Sequence, residues 1–336
     1  MMRPHLIFAF DPDKTEHVFP PETLERLGRS CTILSPDPLA SFASPEARQL
    51  LSEANVLVSG WGCPRLSPEV LRAAPSLQLI AHAAGTVKYT IDPYAYAAGI
   101  RVTHAAEANA VPVAEFTLAA ILFANKRVFE LRDLYRADPT RRTASQLMDQ
   151  PIGNFRRTVG LIGASRIGRK VASLLTGFDV NVLLYDPFVE AGDPIAKEAE
   201  LVDLDTLMAR SDVVSVHAPS LPSTWRMIGA AQLGRMKDGA AFINTARGVL
   251  VDEAALVAEL QSGRIQAVID VTDPEIPPQD SPLFSLPNVF LTPHVAGAIG
   301  TERARLGLMV VEEIERYARS EPLLYEIEPE LLERLA

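Results

Sequence analysis

Short apolar runs alternate with longer amphipathic stretches along the first hundred residues. His5 to Phe10, Cys31 to Leu34, Val56 to Ser59, Leu77 to Ala83 and Ile100 to Thr103 are compact, apolar and bounded by turn residues, which predicts buried strands. Between them, Ser44-Pro45-Glu46 and Ser67-Pro68-Glu69 each supply an N-cap serine, a proline at the first helical position and an acid in the first turn. Helices are predicted to begin there. Five strands alternating with helices predict a parallel, doubly wound α/β sheet with helices on both faces.

From about Pro112 to Leu134 the apolar positions are too regular and too numerous for a strand, which predicts one long helix, with Pro112 at its start, bridging two domains. Residues 134–157, LYRADPTRRTASQLMDQPIGNFRR, are polar and lack that periodicity. They read as a long loop or arm, either touching a partner subunit or lying on the surface. A second alternating series starts at Thr158: TVGLIG ends a buried strand in glycine, GASRIGRKVASLLTGF continues as a helix, and VNVLLYD ends a second strand in Asp186, 23 residues after Gly163.

That is the layout expected of a dinucleotide-binding βαβ unit, the plainer alternative being glycines that serve helix packing alone. A tight turn at Gly163 brings the chain to the phosphates, the amides at the helix start face the pyrophosphate, and Gly168 lets helix and strand close together. Ser165 stands where the motif has its second glycine. Its hydroxyl either displaces the phosphates or donates a hydrogen bond to them, and the second is expected. Asp186 can accept from both hydroxyls of an adenosine ribose, whereas a 2′-phosphate about 4 Å from it would be repelled. PFVEAGDPIAK adds no positive charge before Lys197, so NAD is expected rather than NADP.

At 336 residues the chain has the length of about two domains. Its 48% apolar and 22% charged residues exclude intrinsic disorder. With 32 Lys+Arg against 42 Asp+Glu the net charge is −10, which offers no overall attraction to nucleic acid or to an anionic membrane. Cys31 and Cys63 make neither a disulfide framework nor a zinc site, so no metal is expected and a cytoplasmic location fits. The run Leu6 to Phe10 is too short for a signal-peptide core, and no uncharged apolar run approaches the length of a membrane span. The 26 prolines exceed the usual frequency of about 5%. Several of them, including Pro187, Pro219, Pro274 and Pro293, follow strands and can hold strand-end loops.

Further on, SDVVSVHAPS, AAFINTARG, QAVIDVTDPE and NVFLTPHVAG each run from an apolar strand into a polar tail. Ligands of open parallel sheets bind outside the carboxyl ends of the strands. Arg247, Glu275 and His294 sit in three such tails, 28 and then 19 residues apart. Together with ANAVPVAEFTLA, VGLIGASRIGR, YDP, INTARGVLVDE and SPLFSLPNVFLTPHVAG, in this order and spacing, these blocks resemble the NAD-dependent D-isomer-specific 2-hydroxyacid dehydrogenases over nearly the whole chain.

The resemblance implies a flavodoxin-like substrate domain, residues 1–108 and 298–336, into which a Rossmann NAD-binding domain, residues 109–297, is inserted. It implies that Arg247 grips the carboxylate and carbonyl oxygen of a small 2-keto acid such as glyoxylate or hydroxypyruvate. His294 would be the general acid or base at the carbonyl oxygen, and Glu275 would fix the imidazole and stabilise the imidazolium. The related formate dehydrogenases carry glutamine in place of this glutamate, so Glu275 points to hydroxyacid chemistry. Gly163, Ser165, Arg166, Ile167, Gly168, Asp186, Pro219, Thr245, Ala246, Asp270 and Gly297 would line the cofactor site, and Gly85 and Thr86 would bind the substrate carboxylate. Lys88, where an Asp is common, is either a recruiter of a second acidic group or a solvated lysine. Of the other histidines, His104 is expected to cap a turn, His217 to position backbone at the cofactor cleft, and His82 to serve packing or substrate contact. A homodimer through the cofactor domain is expected. The alternatives are an NAD-sensing, corepressor-like binding protein, a phosphite dehydrogenase or a short phosphoglycerate dehydrogenase. No regulatory domain is expected after Ala336, which makes the longer phosphoglycerate enzymes the poorer match.

Overall fold

The structure, a computed structural model, describes residues 3–329 except 12, 14 and 191. Residues 330–336 of the expected C-terminal piece lie outside the described residues. The chain divides into two compact units, one made of residues up to Ala110 together with Ala298 onward, the other of Val111–Gly297.

The first unit holds β1 (His5–Ala9), β2 (Thr32–Ile33), β3 (Val56–Ser59), β4 (Leu79–His82) and β5 (Arg101–His104), all parallel, in the order β2-β1-β3-β4-β5. This is the flavodoxin-like order. Alternate side chains of one strand feed two cores: Leu6 and Phe8 join one cluster, Ile7 and Ala9 the other. A sheet buried on both faces explains why its strands read as unbroken apolar runs. The predicted helix starts are present. Ser44 Oγ accepts from Ala47 N at 3.1 Å and Ser67 Oγ from Val70 N at 3.4 Å, each with proline at the next position.

The second unit holds β6 (Thr158–Ile162), β7 (Asn181–Tyr185), β8 (Glu200–Leu201), β9 (Val213–Val216), β10 (Ala241–Asn244), β11 (Gln266–Ile269) and β12 (Val289–Leu291). They form one parallel sheet in the order β12-β11-β10-β9-β6-β7-β8. The order reverses between β6 and β9, the arrangement of a Rossmann sheet, so the expected fold class holds for both units.

Two expectations need correction. The long helix begins at Ala106, with Pro112 inside it, because His104 Nδ1 accepts from Ala106 N at 2.9 Å and launches the helix straight from β5. It ends at Asn125, and a second helix, Val128–Ala137, follows Arg127, whose backbone is left-handed at φ 52. By length and composition Ala106–Asn125 could cross a membrane. Yet it carries Glu107 and Glu115, and its Ala114, Ala120, Ile121 and Ala124 pack in the core of the second unit.

The expected loop 134–157 contains a helix, Arg142–Met148. Asp138 organises its start by accepting from the hydroxyls and backbone amides of Thr140 and Thr143. Those bonds, the Thr140 hydroxyl foremost, hold its carboxyl down to about 2. Only Ala144 of this helix is buried, so no apolar periodicity marks it.

After the last helix, Ala304–Ala318, the chain returns along β5. His104 N donates to Tyr325 O, Ile327 N to Val102 O, and Arg101 makes a two-bond pair with Glu326. Glu313, 1% exposed, accepts from the amides of Leu324 and Tyr325. Glu313→Ala leaves both amides without that acceptor. It should cost about 2–3 kcal/mol of unfolding free energy, read as a lower urea midpoint together with faster proteolysis beyond residue 320.

Candidate functional site

Between β6 and the helix Arg166–Leu175 the chain makes the tight glycine turn. Gly163 has φ +103, and a Cβ there would stand 2.6 Å from Ala218 N; a Cβ on Gly168 would stand 2.1 Å from Gly163 O. Both glycines are required by the protein's own packing. Ser165 is the N-cap, its Oγ accepting from Gly168 N at 3.3 Å. Its oxygen thus caps the helix, and its O–H remains a donor for the expected bond to phosphate. Arg166 and Ile167 open the helix, and Asp186 directly follows β7. Asp186 Oδ2 accepts from Ala164 N at 2.7 Å and Oδ1 from Phe188 N at 2.9 Å.

At the neighbouring strand ends, Pro219 O accepts from the Thr224 hydroxyl at 2.6 Å. The Thr245 hydroxyl lies 3.0 Å from that of Thr117, and Ala246 N donates to Asn244 Oδ1. Thr245 and Ala246 are buried, and Gly297 closes the unit half-buried. A glycine-lined turn, the start of a ten-residue helix and an acid at the end of the next strand fit a dinucleotide.

Strands β10, β11 and β12 are paired so that Asn244 lies beside Ile269 and Ile269 beside Leu291. Arg247, Glu275 and His294 therefore leave the sheet at one edge, three to six residues beyond aligned positions. Asp270, 2% exposed, organises this edge: Oδ1 accepts from the Thr292 hydroxyl at 2.6 Å and from Val295 N at 2.8 Å, and Oδ2 from Ala296 N at 2.9 Å. His294 N donates to Asp270 O, and His294 itself has a left-handed backbone at φ 55. Thr272 Oγ1 donates to the carbonyls of Pro274 and Glu275.

The result is a 2.5 Å contact between His294 Nδ1 and Glu275 Oε1, with the two side chains 46% and 59% exposed. With Nδ1 held by a carboxylate, Nε2 is the ring nitrogen left for another partner. Arg247 donates to Ala246 O at 2.6 Å and, among the described residues, makes no bond to the pair. Gly248 after it is required: a Cβ would stand 2.0 Å from the Thr272 carbonyl carbon, so the turn carrying Arg247 lies against the loop carrying Glu275. Asp270, expected among cofactor contacts, spends its carboxylate on the His294 loop. Gly248 was not singled out from sequence, although it completes NTARG.

Gly85 and Thr86 belong to the first unit, in the loop after β4. His82, 2% exposed, is bonded through Nδ1 to Ser59 Oγ at 2.9 Å and also to the Thr86 backbone; burial pushes it down to about 4. His82 therefore serves packing and fixes the loop. Asn109 Oδ1 accepts from Ala298 N, and Nδ2 stands 3.4 Å from where a Gly85 Cβ would lie. Asn109 and Ser59 were missed, although Asn109 lies within the ANAVP block.

Residues 118–296 match the family model "D-isomer specific 2-hydroxyacid dehydrogenase, NAD binding domain". The chain belongs to the D-isomer specific 2-hydroxyacid dehydrogenase family. Within that family it is similar to a D-3-phosphoglycerate dehydrogenase of Archaeoglobus fulgidus, 35% identical over 77% of this chain and 49% of that protein. It is likewise similar to a glyoxylate reductase of Thermofilum pendens, 36% identical over 72% of each. The chain thus spans about half the length of the phosphoglycerate dehydrogenases it matches. Among solved structures, the TT0316 protein of Thermus thermophilus superposes with a TM-score of 0.76 at 30% identity, covering 96% of this chain and 100% of that one. The second unit is the family's NAD-binding domain.

Burial also holds His217 down to about 3, and among the described residues neither ring nitrogen has a hydrogen-bond partner. His82 and His217 are neutral in the folded chain but protonate below about pH 6.5 once unfolded. Stability is therefore full above that pH and declines as pH falls, by up to about 1.4 kcal/mol per unit for each. Urea midpoints should drop between about pH 7.5 and 5, and His217→Leu, which removes one of the two groups, should make the drop shallower.

Proposed function

We propose that the protein is an NAD-dependent D-2-hydroxyacid dehydrogenase that interconverts a small 2-keto acid and its 2-hydroxy acid. The contact between His294 and Glu275, at the edge that also carries Arg247, supports this reading above all. Arg247 binds the carboxylate and carbonyl oxygen of the keto acid, since its planar fork offers paired donors. His294 donates the Nε2 proton to the carbonyl oxygen, and Glu275 at Nδ1 fixes the ring and stabilises the imidazolium. When bound, the dinucleotide supplies the hydride from nicotinamide C4 to the carbonyl carbon. In reduction the carbon gains the hydride and the oxygen the proton; in oxidation His294 takes the proton back.

The amides of Gly85 and Thr86 take the substrate carboxylate, so the first unit is the substrate domain. Ser165, Arg166, Ile167, Pro219, Thr245, Ala246 and Gly297 line the dinucleotide, Asp186 receives its ribose, and Asp270 acts by holding the His294 loop. Glyoxylate and hydroxypyruvate are the first substrates to try, in keeping with the similarity to glyoxylate reductases. A cytoplasmic homodimer through the second unit completes the reading; Tyr135, Met148 and Phe155, exposed in the arm, supply apolar surface for it.

A keto-acid and hydroxyacid panel with NADH and NAD tests the reading directly. Turnover of at least one small 2-keto acid is expected, whereas failure across the panel with NADH binding intact would favour a sensing protein. His294→Gln should cost about 10²-fold or more in kcat while leaving NADH affinity nearly unchanged, and a fully active variant would sink the assignment. NADH should be preferred to NADPH in kcat/KM; equal values would show that Asp186 does not receive the ribose.

A further inference from the structure

Ala164, between the two required glycines, is bonded from both sides. Its N–H donates to Asp186, and its carbonyl accepts from Arg169 Nε at 3.0 Å. The terminal nitrogens of the same guanidinium each make a 2.7 Å bond to a carboxylate oxygen of Asp193. Arg169 therefore stands one residue's span from the acid assigned to the ribose, and its field includes Asp186 and Glu198 besides Asp193. Read linearly, the stretch after Asp186 brings no cation before Lys197. The fold brings one from the neighbouring helix.

The pair is anchored on both sides. Arg169 lies in the helix Arg166–Leu175, and Asp193 caps the short turn Pro194–Lys197 by accepting from Ile195 N at 2.9 Å. A guanidinium so placed has the planar, doubly donating form that recognises phosphate. While its terminal nitrogens are occupied by Asp193, that capacity is withheld.

We propose that Asp193 is a specificity-determining residue: by holding Arg169 in a two-bond ion pair it denies a 2′-phosphate the cation that could receive it, and so reinforces the exclusion of NADP begun by Asp186. The proposal rests on the reading of this turn as the dinucleotide site with Asp186 at the ribose. It assigns the choice between the two nucleotides to a pair of residues as well as to one acid. Asp193→Asn releases the cation while keeping the cap, since asparagine caps as well as aspartate.

Binding of NADH and NADPH, followed by fluorescence titration, is to be compared in the wild type, Asp193→Asn, Arg169→Ala and the double variant, with thermal unfolding as the check of folding. In Asp193→Asn the preference for NADH over NADPH should fall at least about tenfold, the worth of one charge-assisted hydrogen bond. In the double variant it should return to the wild-type value. An unchanged preference in folded Asp193→Asn overturns the proposal. So does a gain that persists without Arg169, because lost negative charge alone would then explain it. If Asp193→Asn does not fold, Asp193→Ser, another cap former, carries the same expectation. A wild type that binds neither nucleotide would overturn the dinucleotide reading itself, an outcome distinct from binding with unaltered preference.

Discussion

One buried carboxylate, that of Asp270, holds the chemistry-bearing edge of the second unit in shape. An ionised group removed from water is tolerated only when donors surround it, and here the Thr292 hydroxyl and the amides of Val295 and Ala296 do so. Because those donors lie on both sides of His294, satisfying the carboxylate also bends the chain around that residue. The left-handed backbone at His294, uncommon for a residue with a Cβ, is the consequence. It turns Nδ1 toward Glu275, whose own loop is tied down by the Thr272 hydroxyl.

The first unit uses the same device with a neutral group. His82, last residue of β4, is buried and joins Ser59 to the backbone at Thr86, so the loop with Gly85 hangs from a strand end. His104, last residue of β5, launches the following helix in a similar way. Parallel strands bring many loops to one edge, where each must be fixed without a hairpin partner. A polar side chain at or just beyond the strand end does this at the cost of its own desolvation. Asp270 accepts from three donor groups, whereas His82 is bonded to a hydroxyl and to the backbone at Thr86, and burial keeps it uncharged.

The strands and the two serine-capped helices were legible because their signals are local: unbroken apolar runs where both faces are buried, and Ser-Pro-Glu where a helix starts. Arg247, Glu275 and His294 were legible as candidates because each follows such a run, but their meeting depended on strand order, which no local signal carries. The break at Arg127 was invisible, since a left-handed arginine has no compositional mark. The helix Arg142–Met148 was missed because it buries almost nothing and leans on the side chain of Asp138. The part Asp270 plays in holding the His294 loop was not legible, because position along the chain does not show where a carboxylate accepts its hydrogen bonds.

Ser165 shows how a departure from a motif can be read once sterics are known. The first and third glycines of the turn are imposed by the protein: added Cβ atoms would collide with Ala218 N and with Gly163 O. The second position has no such demand. Ser165 has an ordinary extended backbone, φ −63 and ψ 176, and its oxygen caps the helix that a glycine would leave without a side-chain cap. A glycine there answers to the approach of phosphate and not to the fold. Serine is therefore neutral or favourable for folding, and its whole cost or benefit falls on the ligand, where the hydroxyl hydrogen is the group still free to act.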